Sequence, residues 1–259
     1  MPHIWICPIS LWQSNAVTLS LSFKAKASAR KYVWEALKDT RQARFPFPIH
    51  GRIPNFKKAE EAAVRLFETA PWQNAKYLKI NPDSPQRPVR LEALKRGITY
   101  FMPTPRLKAG FQKFDPAIIG AENFAKAATL SSSKEWAIEI SLKDMPQVDA
   151  IVAGSVAVTR TGKRCGKGEG YSDIEFAILR ELGHKPVPVA TTVHQLSVVK
   201  DFPRDEIDLP LSVIVTPEET IFVKDPFTPP EGIEWNLIGE IELEEMPILK
   251  ELKALKCVK

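Results

Sequence analysis

The sequence is short of charge at its beginning: the first 23 residues contain no Lys, Arg, Asp or Glu. The start, M-P-H-I-W-I-C-P-I-S-L-W, has the apolar composition of a leader. It has no positive flank, however, Pro8 interrupts it, and Gln13, Ser14 and Asn15 follow. We read residues 1–23 as an N-terminal extension that carries no function. No apolar run approaches the roughly 18 residues that a membrane-spanning helix needs, so no membrane partner is expected. Cysteine is scarce too. Cys7, Cys165 and Cys257 are odd in number, far apart and without metal-ligand spacing. They suggest neither a disulfide framework nor a zinc site, and they fit a reducing cytoplasm. Finally, the familiar phosphate-binding templates, G-x-G-x-x-G and G-x-x-x-x-G-K-[ST], are missing.

Proline is abundant, at 22 of 259 residues, and it falls between patterned segments, which points to rigid loops and away from a disordered tract. Lys and Arg outnumber Asp and Glu by 36 to 31, a net charge of +5. With a sequence pI near 9.0, anionic partners are favoured: nucleotides, acidic cofactors or nucleic acid. A chain of this length with 44% hydrophobic residues makes one large domain or two small ones.

Hydrophobic periodicity orders the rest. Residues 24–39 read as a helix with Val33, Trp34 and Leu37 on one stripe and Lys26 and Arg30, four apart, on another face. A proline-rich loop spans 44–56, and an alanine-rich helix ends before Pro71. Strands are expected at 75–80, 98–102, 148–154, 187–193 and 212–216, with helices at 89–96 and about 172–181. E-I-E-L-E-E reads as a strand or loop before a short basic-ended helix. The alternation predicts a layered α/β/α domain, Rossmann-like, with a mostly parallel central sheet over 24–235, and a strand/helix tail, 236–259, packed on it. Ligands of such sheets gather at the carboxyl ends of strands.

Near one such end stands R-C-G-K-G-E-G-Y-S-D, residues 164–173. Gly166, Gly168 and Gly170 let the backbone approach an anion, and the following helix adds its positive N-terminus. Arg164 and Lys167 offer charge, and Asp173 is of the type that holds Mg²⁺. The same spacing serves equally as a structural turn, with Ser172 or Asp173 as helix cap. Arg52, Asn55, Phe56, Arg90 and Arg106 stand in proline-framed loops, either as contacts for an acidic ligand or as caps and surface ion pairs. His194 ends an apolar strand and reads as a structural histidine ahead of a catalytic base. Trp34 and Phe67 read as core.

R-x-G-x-G-x-G-Y-x-D after V-A-V-T-R-T-G-K-R resembles the signature of the 5-formyltetrahydrofolate cyclo-ligase family, also called methenyltetrahydrofolate synthetases. V-D-A-I-V-A-G, with Gly154, Gly162 and Arg164, occupies the expected places. V-W-E-x-L, F-P-x-P, G-R-I-P-N-F, N-P-D-S-P-Q-x-P-V-R and M-P-T-P-R-L are similar to a divergent branch of methenyltetrahydrofolate synthetase domain-containing proteins. The resemblance covers about residues 24–223.

The resemblance implies an ATP- and Mg²⁺-dependent enzyme that phosphorylates the formyl oxygen of 5-formyltetrahydrofolate, so that a folate nitrogen closes the methenyl ring. Lys26, Arg30, Arg164, Gly166, Lys167, Gly168, Gly170 and Tyr171 would then bind ATP, with Lys26, Arg164 and Lys167 the catalytic charges, and Asp173 would bind Mg²⁺. Arg52, Asn55, Phe56 and Tyr171 would touch the substrate. Two features depart from the family: Ser172 stands where a second aromatic helps the folate ring stack, and Asp83 is the only acidic residue in the segment where the family addresses the pterin. Ser172 motivates a second reading, the same nucleotide site with another heterocyclic acceptor, as in thiamine salvage. A third is a non-catalytic RNA-binding protein; the segment from Ile221 onward contains no aromatic-rich RNP pattern, so nucleic acid is not the expected partner. A monomer or homodimer acting on a small molecule is expected.

Overall fold

The computed structural model describes residues 20–256; the expected extension therefore falls, for residues 1–19, outside the described part. In chain order the elements are α1 (Lys26–Asp39), β1 (Ala43–Arg44), β2 (Asn55–Phe56), α2 (Ala59–Leu66), β3 (Tyr77–Ile80), α3 (Arg87–Lys95), β4 (Thr99–Pro103) and β5 (Phe111–Phe114). There follow α4 (Pro116–Ile119), α5 (Phe124–Ala127), β6 (Ile138–Ile140), β7 (Ala150–Val152), β8 (Ala157–Thr159), β9 (Arg164–Cys165) and α6 (Tyr171–Glu181). The chain closes with β10 (Val189–Thr192), β11 (Val198–Val199), β12 (Val213–Val215), β13 (Thr220–Phe222), α7 (Glu240–Glu245) and α8 (Ile248–Lys256).

Eight strands form the central sheet in the order β13-β12-β10-β7-β3-β4-β5-β6. The inner pairs from β12 to β4 are parallel, and the outer pairs, β12–β13, β4–β5 and β5–β6, are antiparallel. Successive strand residues face opposite sides of the sheet, and the core divides accordingly. Phe101, Ile151 and Ile214 join one cluster with Phe176 and Leu179 of α6 and Leu249 and Leu252 of α8. Tyr100, Val152 and Val215 join the other with Leu66 of α2 and Val89 and Leu94 of α3. This is the layered α/β/α arrangement with a mostly parallel sheet that the alternation of patterns predicts.

A second, three-stranded sheet, β11-β8-β9, supports the chain on either side of the glycine-rich segment. Helix α1 packs there. It buries Ala29, Val33, Ala36 and Leu37, an i, i+4, i+7, i+8 stripe, against Ala157, Cys165 and Val199. Lys26 and Arg30 are left on its other side, one turn apart. Phe67 is core, as its spacing suggests; Trp34 is only half-buried, and its indole N–H donates to the Arg52 carbonyl at 3.0 Å.

Two stretches differ from the sequence reading. E-I-E-L-E-E is helix α7, where Ile241 and Leu243, two apart, imitate strand alternation. Leu243 packs on the core while Ile241 stays exposed, and Glu242 accepts from the Gly239 N–H at 2.9 Å, closing the helix start. The antiparallel edge strands β5, β6 and β13 are not legible in the pattern, because they are three or four residues long and partly exposed. Cys165 is a buried free thiol, and Cys7 and Cys257 lie outside the described residues.

Candidate active site

The order of the central sheet reverses between β3 and β7: β4 follows β3 on one side, and β10 follows β7 on the other. Where strand order reverses, the loops leaving the carboxyl ends diverge and leave a crevice. A cavity of about 1100 Å³ opens at that place. Its walls come from the glycine loop, the exposed side of α1, the loop after β3 and the loop after β4.

The glycine loop runs from β9 to α6. Gly168 has φ +116° and Gly170, the residue that begins the helix, φ +72°, conformations that side chains other than glycine's disfavour. The loop is clasped from within. Buried Arg164 donates through Nη2 to both carboxylate oxygens of Asp173, at 2.8 and 2.9 Å, and through Nη1 to the Gly154 carbonyl at 2.9 Å. The Leu209 N–H also donates to Asp173, at 2.9 Å. Lys167 pairs with Glu169 at 2.7 Å, both at the cavity wall.

Helix α1 delivers two cations to the same cavity in different states. Lys26 Nζ lies 2.6 Å from carboxylate oxygens of both Asp205 and Asp208. Burial pushes its ammonium down, but these hydrogen bonds and charges outweigh burial and hold it above the usual lysine range. Arg30 packs over Gly168, where an added Cβ would sit 3.6 Å from the guanidinium carbon, and it makes no ion pair among the described residues.

Facing the loop, at the end of β3, stands Asp83. Its carboxylate lines the cavity and makes no hydrogen bond or ion pair among the described residues. Burial pushes this carboxyl up, against the opposing charges of Lys167, Arg90, Lys79 and Arg164. The loop that carries it is held by Arg90, which donates from Nη1 to the Asn81 and Asp83 carbonyls at 2.6 and 3.2 Å and from Nε to Ala128 at 3.0 Å. Beneath lies a buried polar group. Lys79, 1% exposed, pairs with Glu175 and donates to Asn81 Oδ1 at 2.7 Å, and Asn81 Nδ2 donates to Ser172 Oγ at 2.8 Å.

Arg164, Gly166, Lys167, Gly168, Gly170, Tyr171, Asp173, Lys26, Arg30, Arg52 and Arg106 thus all border one cavity. Asn55 and Phe56 do not. The Asn55 amide donates to the Phe45 carbonyl at 2.8 Å, and Phe56 is core. Their strand pairing with β1 turns them away from the crevice. Arg90 works behind the wall. His194 is structural: its Nδ1 accepts from the Leu196 N–H at 3.2 Å, its ring meets Phe56 edge-on at 6.1 Å, and burial lowers its pKa to about 4.

Sequence reasoning assigned no role to Lys79, Asn81 or Glu175. Their signal was present as a lysine inside the apolar strand Y-L-K-I and a glutamate on the buried side of α6. Asp83 was noticed as an acid, but nothing local told that it faces a cavity.

The family model described as the 5-formyltetrahydrofolate cyclo-ligase family matches residues 23–217. The chain belongs to that family. Methenyltetrahydrofolate synthase domain-containing proteins of Mus musculus and Danio rerio are each 37% identical to it, over 88% and 90% of its length. The chain spans 63% of the length of each of these two relatives. A solution structure of Aquifex aeolicus 5,10-methenyltetrahydrofolate synthetase overlaps 78% of this chain and 95% of its own, at 18% identity and a TM-score of 0.49, too loose a likeness to inform any detail of the site.

Two expected outcomes arise from the site's geometry. A Cβ at Gly154 would fall 2.6 Å from Asp83 Oδ2 and 3.1 Å from Ile53 Cγ1. Gly154→Ala should therefore displace the Asp83 carboxylate while leaving the glycine loop's clasp in place. The melting temperature should change little, and the affinity of any ligand that Asp83 contacts should fall. For His194, the unfolded chain takes up a proton near pH 6.5, while the folded imidazole resists until about pH 4. Through that window the unfolded state binds more protons, so acidification destabilises the fold by up to about 1.4 kcal/mol per pH unit from this residue. Urea midpoints from pH 7 to 5 should fall more steeply for the parent than for His194→Gln.

Proposed function

We propose that the chain is an ATP-dependent 5-formyltetrahydrofolate cyclo-ligase that forms 5,10-methenyltetrahydrofolate. The observation that carries this reading is the pairing, across one cavity at the reversal of strand order, of a cationic glycine loop with a carboxylate, Asp83, that has no hydrogen-bond or ion-pair partner among the described residues. The loop's N–H groups, the N-terminus of α6, Lys167, Lys26 and Arg30, which has no ion pair among the described residues, suit a triphosphate. Asp83 suits the polar edge of a pterin, whose ring N–H and amino group are donors. Membership of the family supports the same substrate class.

In the proposed reaction the γ-phosphoryl group moves to the formyl oxygen. The bond from phosphorus to the ADP oxygen breaks, one to the formyl oxygen forms, and ADP leaves. The second folate nitrogen then attacks the activated carbon, loses its proton, and phosphate departs as the ring closes. No protein nucleophile is required; the protein aligns the two reactants and balances phosphoryl charge. Arg30 and Lys167 supply that charge at the loop, and the buried Arg164 keeps the loop in shape through Asp173 and Gly154.

Among the described residues no group of three or more His, Cys, Asp or Glu side chains is arranged to hold a metal ion. Asp173, the expected Mg²⁺ ligand, already has both oxygens engaged by Arg164 and Leu209. The residues fit a Mg²⁺ ion that arrives on the triphosphate, whose oxygens are its hard ligands, and do not fit a cage of protein ligands.

The test is direct: mix the purified protein with 5-formyltetrahydrofolate and Mg-ATP and follow methenyl absorbance. A rise supports the reading. No rise, alongside clear stabilisation by Mg-ATP, removes the folate acceptor and keeps the nucleotide site. That second outcome would favour another heterocyclic acceptor, as in cofactor salvage. Ser172 motivates this alternative, because its hydroxyl is bound to Asn81 and presents no ring on which a substrate could stack.

A further inference from the structure

Four polar side chains form a rectangle at the floor of the cavity, which Asn81, Ser172 and Glu175 line and which Lys79 supports from behind. Ser172 and Glu175 lie three residues apart on the first turns of α6, so they project from one side of the helix. Lys79 and Asn81 lie two apart at the carboxyl end of β3, so they project from one side of the strand. Asn81 bonds Ser172 at 2.8 Å, Lys79 bonds Asn81 at 2.7 Å, and Lys79 pairs with Glu175. Each side of the rectangle leads directly to one half of the site. The helix residues follow Gly170 and Tyr171 of the glycine loop, and Asn81 is two residues before Asp83.

We propose that this rectangle is the positioning unit of the reaction. It fixes the separation and angle between the loop that holds the phosphates and the strand end that holds the acceptor. The inference rests on the cyclo-ligase reading and deepens it. An in-line transfer with no protein nucleophile depends on alignment more than on any single contact, and a misplacement of about 1 Å lowers turnover by up to about 100-fold. Burying the three polar side chains Lys79, Asn81 and Glu175 beside the half-buried Ser172 costs desolvation, whereas apolar residues would pack there without that cost. Hydrogen bonds, unlike apolar contacts, set a direction as well as a distance. Ser172 then has a function of its own: it is the helix-side corner of the rectangle.

Ser172→Val and Ser172→Thr separate this role from packing, because the two side chains have nearly the same shape and only threonine keeps the hydroxyl. Kinetics with 5-formyltetrahydrofolate and Mg-ATP, together with melting temperatures, are the readouts. Ser172→Val is expected to lower kcat about tenfold or more, with the KM for ATP changed less than about twofold, since none of the loop N–H groups or cations assigned to the phosphates is removed. Ser172→Thr should recover most of the loss. Asn81→Ala should behave like Ser172→Val, and the double variant should be little worse than either single one, because the residues act as one unit.

Equal kcat in the valine and threonine variants, additive losses in the double variant, or a change confined to the KM for ATP would each overturn the positioning role. A parent protein with no cyclo-ligase activity would instead overturn the functional reading, and the positioning role with it. Activity in the parent with unimpaired valine and alanine variants removes the positioning role alone.

Discussion

Lys79→Met is expected to destabilise the protein by about 3–5 kcal/mol, read as a lowered urea midpoint at unchanged slope. The lysine sits on the central strand β3 with 1% of its surface exposed, against a glutamate that is 3% exposed. Removing it strands the Glu175 carboxylate in the interior, where burial already pushes its pKa up and Lys79 is the chief group opposing that shift. It also takes a donor from Asn81. The size of the effect comes from the group left behind and does not measure the worth of the pair, since two ions taken out of water repay little of their desolvation. The double variant Lys79→Met, Glu175→Leu should therefore recover most of the lost stability. A double variant as unstable as the single would show that the cost lies in packing volume and not in the unpaired charge.

If the proposed ATP site is right, Arg30→Ala should weaken ATP binding by about 10- to 100-fold, the equivalent of one charge-assisted hydrogen bond of about 1.5–3 kcal/mol, with almost no change in melting temperature without nucleotide. The guanidinium lies over Gly168 and makes no ion pair among the described residues, so the empty protein loses little when it goes. Lys26→Ala is the contrasting case. It frees two aspartates, Asp205 and Asp208, which lie at the rim of the same cavity, and should lower the stability of the empty protein as well as nucleotide affinity. Titration of nucleotide-induced thermal shifts for the two variants checks both outcomes. ATP affinity in Arg30→Ala equal to the parent's would remove Arg30 from the phosphate site.

The two arginines of the site show how far residue type alone reaches. Arg30 and Arg164 are both cations near the glycines, and the sequence treats them alike. In the structure Arg164 is spent on Asp173 and Gly154 while Arg30 makes no ion pair among the described residues. Both oxygens of Asp173 are likewise taken, so a carboxylate that reads as a metal ligand acts as one end of a clasp. The departure at Ser172 reads as the loss of an aromatic, yet its hydroxyl is one corner of a hydrogen-bonded rectangle.

The sequence by itself determined the parallel core strands and the main helices between them, the buried face of α1, the place of the glycine loop between a strand and a helix, and the family. These follow from local periodicity and from residues adjacent along the chain: Val33 and Leu37 recur at helical spacing, and glycines at alternate positions permit backbone conformations that other residues disfavour. Only the tertiary structure decided which polar groups meet. Lys79 and Glu175 are 96 residues apart, and they meet because α6 packs on the side of the sheet that Lys79 shares with its cross-strand partners Phe101 and Ile151. The reversal of strand order between β3 and β7, a property of how the whole sheet is wound, opens the cavity that Asp83 and the glycine loop both line, and no local pattern records it.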